Sequence, residues 1–94
     1  METPDSKTDY LQQLRWRSRR GLLELELLLL PFAQQRLAEL SPEQLDSYEQ
    51  LLECEDLDIY DWLQQRSQPT DASLQMIVDL VRDHQLHRSI DNQP

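Results

Sequence analysis

Arg19-Arg20-Gly21-Leu22-Leu23-Glu24-Leu25-Glu26-Leu27-Leu28-Leu29-Leu30-Pro31-Phe32 decides how this chain folds. An arginine cluster gives way here to a leucine-rich run, at the only glycine in 94 residues. Glycine has no Cβ, so the chain can bend there and another surface can approach the backbone closely. Leu22, Leu25, Leu29 and Phe32 form one stripe at helical spacing, and Leu23, Leu27 and Leu30 form a second. A helix apolar on two faces belongs in the middle of a bundle, covered by neighbours. The pattern therefore predicts a central helix starting at about Arg20 or Gly21. Pro31 removes a backbone donor and crowds the preceding turn, which predicts a kink. Arg20 and Glu24 are four apart and would share a face and pair. Taken alone, that is a surface ion pair worth under about 1 kcal/mol. The same residues also read as an exposed patch of guanidinium, bare backbone and carboxylate shaped to touch a partner.

Upstream, a first helix is expected from a cap at Ser6 or Thr8 to about Arg17, with Tyr10, Leu11 and Leu14 inward. Trp16 lies off that stripe, beside the turn or against a later helix. Arg15, Arg17, Arg19 and Arg20 place four positive charges in six residues. Downstream, Ala33, Leu37 and Leu40 carry the apolar pattern to the next break. Ser41-Pro42-Glu43-Gln44 is a helix start, with a serine cap, proline at the first helical position and Gln44 closing a capping box. Leu45, Tyr48, Leu51 and Leu52 give this third helix an inward face to about Glu53. Asp56 can cap a short fourth helix carrying Leu57, Ile59, Tyr60, Trp62 and Leu63, ending near Ser67. Thr70 or Asp71 opens a fifth, with Leu74, Ile77, Val78 and Val81 inward, to about His87. No stretch alternates as a strand does. Short connections between such helices make antiparallel neighbours. The reading is an all-α, compact five-helix bundle over residues 8–88, with flexible ends at 1–7 and 89–94.

Ninety-four residues allow one small domain with a modest core, too small for a deep private active site. A net charge of −9 argues against nucleic acid and against anionic membrane surfaces, and favours a partner with a basic patch. Leu22 to Leu30 holds seven leucines in nine residues, but it is too short to span a bilayer and carries Glu24 and Glu26. Met1 to Asp9 has neither a signal-peptide pattern nor an Arg-rich transit pattern, and Cys54 has no second cysteine to pair with. A cytoplasmic location is therefore expected.

No catalytic constellation of strength is present. His84 and His87, with Asp83 nearby, lack a second ligand pair at metal-binding spacing and read as surface histidines near a frayed end. Cys54 sits in the acidic turn Glu53-Cys54-Glu55-Asp56, where negative neighbours make a thiol a poor nucleophile. Neither a dinucleotide fingerprint nor a P-loop occurs. The charge layout says more. Eight acids and no Lys or Arg lie between Glu43 and Asp61, opposite in sign to the arginine cluster. That is either a solvated acidic face or a dipolar surface that orients a partner. Of Tyr60 and Trp62, inside the acidic stretch, at least one is expected in the core.

Three separated segments resemble one family. Arg20-Gly21-Leu22-Leu23-Glu24 matches an R-G-x-x-E motif, and Pro31-Phe32 follows at the expected distance. Leu51-Leu52-Glu53-Cys54-Glu55-Asp56, with Asp58, Tyr60, Asp61, Trp62 and Leu63, matches a second block. Together, over about Arg15 to Val81, they resemble the SdhE-type succinate dehydrogenase assembly factors, or flavinators. Leu57 stands where many relatives have proline. The resemblance implies a five-helix bundle and a non-enzymatic chaperone. Its job would be to promote covalent attachment of FAD to the flavoprotein subunit of succinate dehydrogenase, with fumarate reductase a further client in bacteria. FAD would be the client's cofactor, with none held stably by this chain and no metal. Carried over, Arg20, Gly21 and Glu24 become partner-binding residues, with Arg19 beside them. Asp56, Asp58 and Trp62 match the second block with less defined roles. A monomer is expected, and the missing transit pattern points to a bacterial member. Two rivals stand beside this reading: an FAD carrier or flavin transferase in its own right, and an antitoxin-like interaction module.

Overall fold

The computed structural model describes the backbone of residues 5–91 and the side chains of residues 7–86. Five α-helices follow one another: α1 (Asp5–Arg17), α2 (Leu23–Arg36), α3 (Pro42–Leu52), α4 (Asp56–Leu63) and α5 (Ala72–Asp91). A single 3-10 turn, Leu37–Glu39, extends α2. Among the described residues there is no strand. The expected all-α five-helix bundle is therefore the fold. The expected flexible ends, 1–7 and 89–94, fall partly outside the described residues. Within them, α1 already starts at Asp5, ahead of both expected caps, and α5 continues past His87 to Asp91.

Local chemistry explains where the helices begin. Ser41 caps α3 through a complete capping box: its hydroxyl accepts from Gln44 N–H, and the Gln44 side chain accepts from Ser41 N–H. Asp71 starts α5, its carboxylate accepting from the backbone N–H and the hydroxyl of Ser73. Those bonds hold the Asp71 carboxyl below the usual carboxylate range. α4 departs from expectation. Glu55 takes the cap position, without a side-chain cap bond, and Asp56 is the first helical residue. α4 also stops at Leu63 rather than near Ser67. Gln65, in the turn that follows, has a φ of 62°, the left-handed region that ends a helix.

One core joins all five helices. Leu25, Leu29, Phe32 and Ala33 of α2 meet Leu11 and Leu14 of α1, Tyr48 and Leu51 of α3, Ile59 and Leu63 of α4, and Ile77, Val78 and Val81 of α5. α5 packs on α2, α3 and α4, while α2 also packs on α1 and α4. α2 is thus central, but on one face only. Its second stripe was expected to be covered, yet Leu23 and Leu27 stand 61% and 62% exposed. In this small bundle α1, α3, α4 and α5 cover one side of α2; on the other, Leu30 is half-buried and Leu23 and Leu27 are left to solvent. The helix continues through Pro31 to Arg36. Tyr60 and Trp62 are both half-buried against the core.

Three polar residues lie inside, Ser18, Ser47 and His84. His84 is buried, its ring edge-on to Phe32 with centroids 5.8 Å apart. The expectation of a surface histidine fails there because position 84 lies three residues after Val81 and seven after Ile77, on the inward stripe of α5. The His87 side chain lies outside the described residues. Ser18, just past the end of α1, donates to the Leu14 carbonyl at 2.8 Å and meets the Tyr48 hydroxyl at 2.6 Å. Ser18 has one proton and gives it to the carbonyl, so the tyrosine donates in this pair.

Burial pushes the Tyr48 hydroxyl up from its ordinary value near 10 to about 12. Tyr10, which donates to Glu49 at 2.8 Å, is also raised to about 12, by burial and then by that carboxylate. The folded chain therefore holds these protons more tightly than the unfolded chain. Their contribution is complete below about pH 10 and is lost as the pH rises towards about 12. Urea midpoints should fall across that window in wild type. Tyr48→Phe should flatten the fall, leaving the part due to Tyr10.

Candidate functional site

The segment joining α1 to α2 carries the R-G-x-x-E sequence and is fixed from across the bundle. α2 starts at Leu23, not Arg20 or Gly21, because Gly21 and Leu22 are not helical. Leu22 occupies the cap position with extended backbone and offers no side-chain cap. Two carboxylates serve this turn instead. Glu26 Oε1 accepts from Arg20 N–H at 2.8 Å, and Asp56 Oδ2 lies 3.4 Å from Leu22 N–H.

Arg20 is the centre of the arrangement. Its Nε donates to Asp56 Oδ1 at 2.8 Å, and its two terminal nitrogens donate to the Arg17 carbonyl at 3.0 Å and the Cys54 carbonyl at 3.1 Å. Its side chain is only 13% exposed. The expected Arg20–Glu24 pair is not formed. The turn carries Arg20 ahead of the helix, so the two residues never share a helical face. Arg17 ends α1, and Cys54 follows the end of α3. Helix ends leave carbonyls without intrahelical partners and carry partial negative charge. Arg20 supplies donors and positive charge to both. Asp56 supplies negative charge at the starts of α2 and α4, where free N–H groups carry partial positive charge. Four helix ends thus meet at one ion pair.

Outside this clasp the chain is open. Gly21 is exposed, and a Cβ built on it would meet only Asp56 Oδ2, at 4.0 Å. Its φ is not in the positive range that favours glycine. The fold itself therefore does not demand glycine here. Glu24 and Arg19 are exposed on either side. The Arg19 guanidinium lies over the Trp16 ring at 5.6 Å, and Trp16 is 72% exposed, beside the turn. Arg17 reaches Glu49 of α3 and Glu53, which caps its C-terminal end, at 3.8 and 3.7 Å.

The second block divides. Asp56 belongs to the clasp, and exposed Asp58 shares a shallow hollow with Arg20, Cys54, Glu55 and Leu57. Trp62 lines a different hollow, with Gln65, Gln75 and Arg82. Cys54 is half-buried, its thiol donating towards the Gln50 carbonyl at 3.6 Å. Burial and then the Asp58 charge push that thiol up, against a smaller opposing pull from Arg20. It is a weak nucleophile at neutral pH. Among the described residues no group of three or more His, Cys, Asp and Glu is placed to hold a metal, and no helix is long and apolar enough to cross a membrane.

With this geometry in place, comparison with known proteins is informative. The sequence profile of a family described as "Flavinator of succinate dehydrogenase" matches residues 12–85. The chain belongs to this family. The match spans the clasp, the exposed turn, α2 to α4, the second half of α1 and α5 up to Gln85. The FAD assembly factor SdhE of Pseudomonas aeruginosa is 45% identical over 73 residues, covering 78% of this chain and 87% of the relative. The protein of the same name from Pasteurella multocida is 39% identical over 70 residues, 74% and 83% of the two chains. That from Serratia sp. is 31% identical over 80 residues, 85% and 91%.

Sequence reasoning found the motif but not its wiring. It missed Glu26, whose role depends on the turn preceding α2, and the carbonyls of Arg17 and Cys54, which carry no sequence signal. It also missed the exposure of Leu23 and Leu27. Arg20→Ala should lower unfolding free energy by about 2 kcal/mol, the range for charge-assisted bonds in a partly buried site. Arg20→Lys should not restore it, because one ammonium cannot span the fork of acceptors. Glu24→Ala should stay within about 0.5 kcal/mol of wild type. Urea denaturation of the three variants measures all of this.

Proposed function

We propose that this chain is an assembly factor that binds the flavoprotein subunit of succinate dehydrogenase and promotes its covalent attachment to FAD, acting as a chaperone rather than as an enzyme. The observation that carries the reading is Gly21. It is the chain's sole glycine, it is exposed, it lies in open space, and its backbone needs no glycine. Its remaining use is to admit another surface against the backbone. Membership of the flavinator family supports the identity of that surface.

The roles divide along the burial of the motif. Arg20 positions the turn through Asp56 and two carbonyls. Gly21 is the bare point of contact. Glu24 and Arg19 reach client groups from either side. Asp58 belongs to the same face, whereas Trp62 acts through packing. The bond to be made would join a client histidine nitrogen to the 8-methyl carbon of the client's FAD, with a methyl proton lost and the oxidised flavin ring taking up the electron pair, and that chemistry would reside in flavin and client. The chain contributes geometry. Bound to the flavoprotein, it holds the flavin-binding part and its neighbour so that the two reacting atoms stay close, which lowers the entropic part of the barrier. Fumarate reductase, whose flavoprotein undergoes the same attachment, is a second client on this reading. A cytoplasmic monomer is sufficient for this role.

Incubating apo flavoprotein subunit with FAD, then reading flavin fluorescence in a denaturing gel, tests the proposal. Wild type should raise the covalent signal. Gly21→Arg should abolish the rise while leaving helicity and melting temperature near wild type, and Glu24→Ala should reduce it several-fold. Full activity of Gly21→Arg would sink the close-contact mechanism. An unchanged signal with wild type, and no complex on co-elution, would sink the function.

A further inference from the structure

Beyond the motif's polar residues, the outer face of α2 has no structural use in the isolated chain. Leu23 and Leu27 neither belong to the core nor pack against it, and they stand 61% and 62% exposed. Four residues apart, they stack on one helical face. Leu57, which follows Asp56, is 68% exposed, and Trp16 stacks with Arg19 on the other side of the turn. Exposed apolar residues scattered singly need no explanation. Here four of the five large ones described flank the Arg20–Asp56 clasp in sequence, and only Leu86 lies elsewhere, on α5. Leu23 stands inside the R-G-x-x-E sequence itself, between Gly21 and Glu24.

We propose that Leu23 and Leu27 form an apolar anchor that continues the Gly21 contact along α2 and seats in an apolar depression on the flavoprotein subunit, rimmed there by lysine or arginine. The proposal deepens the function given above and rests on it. The occupant follows from continuity and charge. The anchor starts within the client-facing turn, so whatever meets Gly21 lies against Leu23 as well. Glu24 borders the anchor, and Glu55 and Asp58 border Leu57, all exposed, against one exposed arginine, Arg19, on the far side of Gly21. A partner facing that rim needs positive charge. A second copy of this chain, at net charge −9, does not supply it. An apolar centre with a polar rim is the arrangement in which a few buried side chains carry most of the affinity.

The test is a titration of apo flavoprotein subunit with labelled wild type, Leu23→Gln, Leu27→Gln, the double variant, and Leu86→Gln as an exposed leucine away from the clasp. Burial of one leucine corresponds to about tenfold in Kd or more, so the single variants should weaken binding about tenfold and the double variant roughly a hundredfold. Melting temperatures should not fall, since no core contact is lost, and Leu86→Gln should bind as wild type. A photo-crosslinking benzoylphenylalanine at position 27 should capture the flavoprotein, and one at position 86 should not. Wild-type affinity in the double variant, with Gly21→Arg still unable to bind, would overturn the anchor and leave the assembly function standing. An equal loss at Leu86→Gln would overturn it as well. Absence of binding by wild type would overturn both.

Discussion

The Arg20 guanidinium and the Asp56 carboxylate bring four helix ends together. Arg20 bonds the Arg17 carbonyl at the end of α1 and the Cys54 carbonyl after α3, and Asp56 lies at the starts of α2 and α4. Each charge has the sign that the nearby helix ends favour, and each bond satisfies a backbone group or ion that would otherwise need water. Other polar links also cross the bundle, Tyr10 to Glu49, Ser18 to Tyr48, Arg15 to the Ala33 carbonyl and Arg82 to the Leu63 carbonyl, but each of these bonds joins only two segments. Without the clasp, the core of leucines would still hold the helices together. Little else would fix the path of the turn between α1 and α2.

That fixed path separates two kinds of residue in one short motif. Arg20 is turned inward and used up in internal bonds. Gly21 and Glu24 are turned outward and serve no internal purpose. A contact surface has to be rigid before binding if its ordering is not to be charged against affinity. Here rigidity comes from buried polar bonds directly beneath the exposed residues. The arrangement accounts for a motif that mixes a structural arginine with a bare glycine and an exposed carboxylate.

The same turn determines what happens to the leucines. A bundle of five short helices can cover only part of each member's surface. α1, α3, α4 and α5 cover Leu25, Leu29, Phe32 and Ala33, and of the second stripe of α2 Leu23 and Leu27 are left in water while Leu30 is half-buried. The unused apolar stripe begins where the exposed part of the motif begins. Acidic side chains line the neighbourhood, so the surface combines an apolar strip with negative charge. That combination suits one partner with a complementary face better than indiscriminate association.

Much of the fold was legible in the sequence. Helical periodicity and the absence of alternation dictated five helices, because burying leucines at that spacing requires helix. Ser41, Pro42 and Gln44 dictated the start of α3, since capping is a matter of nearest neighbours. The resemblance carried by Arg20, Gly21 and Glu24, together with the second block, gave the family that the comparisons show. Periodicity measures which side chains are apolar, not which of them find a neighbour, so the covering of α2 on one face alone was decided by tertiary packing. His84 follows the inward stripe of Ile77 and Val81 by one helical step, and the packing of α5 on α2 set its ring against Phe32. The partner of Arg20 was likewise a tertiary matter. Position 24 is near in sequence and position 56 is far, but the turn at Gly21 takes Arg20 off the helix and the packing of α4 brings Asp56 to it. Spacing along a chain ranks the pairs that a helix would make, and only the folded path shows which helix a residue belongs to.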